Sequence, residues 1–104
     1  MDFDLGKMQQ MLAQAQAMKS QMDERLEGVI VEADAGGGAV VARMNGNKRL
    51  LAVRIAPSAA QAAAGDISLL EDLIVAAVNA ASSKAEEAQK SSASSMLGGM
   101  LPGF

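Results

Sequence analysis

Residues 69–87, Leu-Leu-Glu-Asp-Leu-Ile-Val-Ala-Ala-Val-Asn-Ala-Ala-Ser-Ser-Lys-Ala-Glu-Glu, constrain the fold more than any other stretch of this chain. Leu70, Leu73, Ile74, Ala77, Ala81 and Ala85 recur at three- and four-residue steps and share one face of an α-helix, with Val78 at its edge. A helix with such a stripe must bury it against another element. Ser68 and Glu71 have the spacing of a capping box, in which hydroxyl and carboxylate each answer an open backbone N–H, and Asp66 is a rival cap. The pattern predicts a helix from Leu69 to about Lys90.

A second helix is predicted from Leu5 to about Leu26, with Asp4 as its N-cap. Its apolar positions are Leu5, Met8, Met11, Leu12, Ala15, Met18, Met22 and Leu26, mostly surrounded by glutamines. At 1.5 Å per residue it is about 33 Å long, more than one small sheet can cover, so its far end should project. Met8, Met11, Ala15, Met18 and Met22 also fit a short heptad rhythm. The stripe is core at the sheet-facing end, and the remainder is either core or a partner-binding strip.

Between the helices the period changes. Val29–Asp34, Ala39–Met44 and Lys48–Ile55 read as three strands, separated by Ala35-Gly36-Gly37-Gly38 and by Asn45-Gly46-Asn47. Asn45-Gly46 predicts a type I′ hairpin turn. The glycine triplet leads into a strand and no Lys-Ser/Thr follows it, so it is a hairpin turn and not a phosphate loop. On the third strand Arg49, Leu51, Val53 and Ile55 share one face and Leu50, Ala52 and Arg54 the other, neither cleanly polar. One face should pack on the helices while the other is partly solvated or covered by a second subunit. Residues 57–65 read as a loop or a short helical turn.

The predicted fold class is therefore α+β: long helix, three-stranded antiparallel sheet, long helix. One domain over residues 1–90 is expected, followed by a flexible tail over 91–104 in which Met96, Leu97, Met100, Leu101 and Phe104 are greasy enough to dock on something. Only Phe3 and Phe104 are aromatic, so the core is aliphatic, and a small core with eight methionines points to a second copy covering part of the apolar surface.

The chain has no cysteine and no histidine, which excludes disulfides, thiolate nucleophiles, imidazole catalysis and the usual zinc sites. No cofactor is expected. The acids Asp23, Glu24, Glu27, Glu86 and Glu87 read as solvated helix faces with pairs such as Lys19 with Asp23, an oxygen-ligand metal site being the less favoured reading. No basic leader and no apolar run of about 20 residues is present, so a cytoplasmic location is expected. The net charge of −3 is unevenly spread. Residues 1–35 carry three cations and seven acids, residues 36–65 carry Arg43, Lys48, Arg49 and Arg54 with no acid, and residues 66–104 carry two cations and five acids.

Four stretches carry a family resemblance. They are Leu5-Gly6-Lys7-Met8-Gln9-Gln10-Met11-Leu12, the Gly36-Gly37-Gly38 turn leading into Val40, the helix Leu70–Asn79 followed by Lys84-Ala85-Glu86-Glu87, and Gly99-Met100-Leu101-Pro102-Gly103. Together they resemble the YbaB/EbfC family of bacterial nucleoid-associated proteins over nearly the whole chain. The resemblance implies the same α+β architecture, a homodimer whose sheets join with the helices projecting as arms, and binding of double-stranded DNA in the nucleoid. The chain departs from the lysines that many members carry in the first helix and third strand, having Ala13, Ala17, Gln21, Leu51 and Ala52, and from Asp-Ala-Leu-Arg after Asn79, where it has Ala80-Ala81-Ser82-Ser83.

With no aromatic platform and no arginine-rich recognition helix, contact with nucleic acid would fall on the phosphate backbone. The candidate DNA-binding residues are Lys7, Lys19 and Arg25 on the first helix, Arg43, Lys48, Arg49 and Arg54 on the sheet, and Lys84 and Lys90 on the last helix. The competing expectation is an adaptor whose Met-rich helix and greasy tail bind a recombination or transcription protein. No arrangement of residues reads as catalytic.

Overall fold

Successive strands with short turns between them can only pair as neighbours, and here they form an antiparallel meander in the order β1 (Ile30–Ala35), β2 (Val40–Asn45), β3 (Leu50–Ile55). Around it lie helix α1 (Leu5–Glu27), a short helix α2 (Pro57–Ala62) continued by a 3₁₀ turn (Ala63–Gly65), and helix α3 (Ile67–Met100). This is a computed structural model, and it describes residues 4–100 and the side chains of residues 4–98. The tail residues Met100, Leu101 and Phe104 named above for docking lie outside the described side chains.

The core is a seam of small residues. In β1 paired with β2, Val31 stands opposite Met44, Ala33 opposite Ala42 and Ala35 opposite Val40, all on the face toward α3. Ala77, Ala81 and Ala85 of α3 are fully buried against it, with Leu70, Leu73, Ile74 and Val78 flanking them. Alanines on both sides let the helix approach the sheet closely, so any larger group at these positions has nowhere to go.

α3 lies over β1 and β2 and leaves β3 uncovered. All of β3 except Ile55 is exposed, including Leu50, Leu51 and Val53 at 45%, 46% and 37%. The strict alternation expected for this strand fails because a bulge between Arg43 and Met44 pairs Arg43 with Ala52 but Met44 with Leu50, leaving Leu51 as the extra residue. Leu50, Val53 and Ile55 thereby share the α3 side, and Ala52 and Arg54 the opposite one.

The molecule is elongated, 71 × 28 × 21 Å, with a radius of gyration of 20.2 Å. A compact domain of this length would have about 13 Å. The excess comes from the two helices that run past the sheet.

Three further expectations are corrected. The helix expected to end near Lys90 continues to Met100, because Ser and Ala extend a helix at little cost and only Gly98 and Gly99 oppose it, by about 1 kcal/mol each. Its start is set by Asp66 rather than by a Ser68/Glu71 capping box: the Asp66 carboxylate accepts from the Ser68 hydroxyl, which together with the nearby backbone N–H groups of Leu69 and Ser68 holds the carboxyl below its usual range. The turn after β2 is also not a two-residue type I′ turn. Its positive φ, 67°, is at Lys48, and Asn45 is the last residue of β2.

The glycine triplet behaves as a turn. Gly36, Gly37 and Gly38 have φ of 66°, 65° and 93°, a run of left-handed conformations that side chains rarely tolerate. Among the described residues no helix is long and apolar enough to cross a membrane.

Candidate nucleic-acid interface

The β2–β3 turn is the joint from which both long helices leave the body. Asn45 is 2% exposed, and its side-chain oxygen accepts from the backbone N–H groups of Asn47 at 2.9 Å and Arg49 at 3.0 Å. Gly46 donates its N–H to the carbonyls of Leu26 and Val29, both at 2.9 Å, and accepts from the Gln89 side chain at 2.8 Å. The Asn47 amide donates to the Asp23 carbonyl and to Glu27, both at 2.9 Å. One turn thus holds the end of α1 and the middle of α3. The glycine is required here for space: a Cβ at position 46 would sit 2.8 Å from the Leu26 carbonyl oxygen.

Beyond this joint the helices form an arm. α1 projects by residues 5–22, about 27 Å, and α3 by residues 90–100, about 16 Å. Met18 and Met22 of α1 and Ser92, Ala93 and Met96 of α3 are half-buried, while residues 5–17 of α1 are exposed throughout.

The arm and the body differ in charge. Residues 4–22 and 88–98 carry Lys7, Lys19 and Lys90 against the single acid Asp4. Residues 23–87 carry ten acids against six cations. The acid-free stretch at 36–65 is therefore not a positive island in space. Strand register sets Glu32 against Arg43, at 3.9 Å, and the joint sets Glu27 3.8 Å from Arg49. Lys48 is bonded to Glu86, and Lys84 reaches the Glu32 carbonyl at 2.7 Å. Lys48 holds the Glu86 carboxyl below its usual range, chiefly through this hydrogen bond and then through its charge, with a smaller contribution from Lys90 one turn along.

Of the nine candidate cations, four are thus engaged by the body. Lys7, Lys19, Arg25, Arg54 and Lys90 have no ion-pair partner among the described residues, and all five are exposed. The expected Lys19–Asp23 pair does not form; α1 meets the joint at Asp23, through its carbonyl, and at Glu27. Asn47 and Gln89, which tie the turn to α1 and α3, escaped the sequence reading because their partners lie 20 to 43 residues away. Among the described residues no group of three or more acids is placed to hold a metal ion.

A two-layer α+β body with a projecting, cation-bearing helical arm defines the class. The sequence model of the YbaB/EbfC DNA-binding family matches residues 5–100, and the chain belongs to that family. It is 52% identical over 97 residues to a nucleoid-associated protein of Acidobacterium capsulatum, covering 90% of each chain. It is 41% identical over 96 residues to one from Koribacter versatilis, covering 91% of this chain and 93% of that one. The crystal structure of an uncharacterized protein, HP0035, from Helicobacter pylori superposes with a TM-score of 0.75 at 26% identity, covering 93% of this chain and all of that one.

Proposed function

We propose that the protein binds double-stranded DNA in the nucleoid through its phosphate backbone, with little sequence preference, and that it does so with the arms. The carrying observation is the separation of charge: an acidic body of net −4 would be repelled by a duplex, while the described residues of the arm present three cations and one acid. Lys7 on the arm and Arg25 at its base lie on the same side of α1, eighteen residues or about 27 Å apart, a spacing suited to phosphates along a groove edge. Backbone binding of this kind organises DNA and alters access to it, which is how it would touch expression or repair.

Two copies joined through β3 double each contact. The outer edge of β3 has unpaired backbone groups, and its α3 side is uncovered at Leu50 and Val53, an edge that aggregates unless another strand occupies it. Pairing of two β3 edges would join the sheets and leave the arms free. Sedimentation at micromolar concentration should give twice the chain mass.

The DNA reading is tested by a salt series with a random-sequence duplex. Affinity should fall linearly on a log–log scale, by about 0.9 per phosphate neutralised. Binding that is independent of salt, or absent at low salt, would refute it.

A further inference from the structure

Among the described residues, nothing covers the stripe by which α1 packs at its base as it continues along the arm. Leu5, Met11 and Leu12 are 66%, 68% and 59% exposed. Outward from the midpoint between Met11 and Leu12 this face is symmetric in chemistry: Met8 matches Ala15, and Asp4 matches Lys19. At about 100° per residue, these six residues lie within about 50° of a single direction on the helix. Turning a second α1 end for end about that midpoint sets Met8 against Ala15 and Asp4 against Lys19, each contact made twice, and brings Met11 beside Met11 and Leu12 beside Leu12 at the centre. At the margins Leu5 lies on the same flank as Lys19 of the other copy and Asp4 on the same flank as its Met18, so no like charges are opposed.

We propose that this face is a docking site for the same face of a second copy, an antiparallel α1 pair centred on Met11 and Leu12 and closed at each end by an Asp4–Lys19 ion pair. Asp4 caps the helix through one oxygen, which accepts from Gly6 at 2.9 Å, and its second oxygen serves the pair. The overlap of sixteen residues is about 24 Å long, a narrow strip below the roughly 1,000 Å² of a stable interface. The pair is therefore weak between free molecules and strong where copies are held side by side. It rests on α1 alone, and because it engages Lys19 the pair and a duplex compete for that lysine.

The chain has no cysteine, so Met11→Cys installs a single thiol for disulfide trapping in the full-length protein. At tens of micromolar under mild oxidation, Met11→Cys should cross-link two chains at least fivefold faster than Ala17→Cys on the opposite side of the helix. Lys19→Glu added to Met11→Cys should slow trapping at least threefold by setting Glu against Asp4. Adding Asp4→Asn, which keeps the cap and removes the charge, should recover most of the loss. Helicity measured alongside separates these effects from fraying. Equal trapping at positions 11 and 17, or no recovery by Asp4→Asn with helicity unchanged, would overturn the proposal.

Discussion

The sheet with the middle of α3, and the arm beyond the joint, are built from the same helix chemistry to different ends. In the body, alanines of α3 meet alanines of β1 and β2 from far along the chain, so packing decides what each position tolerates. In the arm, α1 keeps a Met and Leu stripe that the described residues of its own chain cover only at Met18, Met22 and Leu26. The body is a place where stability is made, and the arm is a surface held out for something else. Changes in the two regions should therefore separate stability from binding.

The sharpest contrast comes from one substitution made in both places. Ala81→Asp buries a carboxylate with no partner in the fully closed seam, and should leave the chain unfolded at 25 °C by circular dichroism. Ala17→Asp on the exposed arm should change stability by no more than about 0.5 kcal/mol. A folded Ala81→Asp protein would mean that α3 can lift from the sheet, and would remove the distinction.

The joint should show an intermediate effect. Gly46→Ala drives a methyl group against backbone and side-chain atoms of Leu26 and should cost about 1–3 kcal/mol in urea unfolding. Because Gly46 donates to Leu26 and Val29, the loss should concentrate in α1: its amides should exchange faster while those of β1 and β2 keep their protection. Uniform loss of protection would show that arm and body unfold as one.

How far the sequence reveals these regions follows from the range of the interactions. The α3 stripe, the β-branched runs and the glycine triplet are local patterns, and each leads to the observed element. What the sequence hides is set by partners far along the chain. The cations of residues 36–65 look free until strand register brings Glu32 to Arg43 and the joint brings Glu86 to Lys48, 38 residues away. The Asn45-Gly46 pair suggests a tight turn on dipeptide statistics, yet Gly46 is needed because α1 presses on it, a contact with no local signature. The bulge that turns Leu51 out of register is equally silent, since alternation is read from each strand alone.

The same pairing argument separates the cations. Lys7, Lys19 and Lys90 changed together to Ala should weaken duplex binding at least tenfold near 50 mM salt and flatten the salt dependence by up to about 0.9 per lysine. Arg43, Lys48 and Arg49 changed together should weaken it less than threefold, since each is already neutralised by an acid and offers little free charge to a phosphate. Equal losses would place the duplex on the sheet.

The smallest effect expected is on pH. Hydrogen bonds from Ser68 hold the Asp66 carboxyl low, and Lys48 does the same for Glu86. A carboxyl with a lowered folded pKa adds stability that is complete above its unfolded value, near 4, and that is lost as pH falls through the folded value. Both groups are exposed to solvent, whose screening keeps each contribution small. Thermal melts should be flat from about pH 6 to 5 and decline below about pH 4. Glu86→Gln should shallow that decline without moving the neutral melting temperature much, whereas Glu87→Gln, one residue along and outside the ion pairs found among the described residues, should leave the profile as it is. If the two variants gave the same acid limb, Lys48 would not be the group that couples the middle of α3 to the joint, and the arm's attachment would rest on Gly46, Asn47 and Gln89 alone.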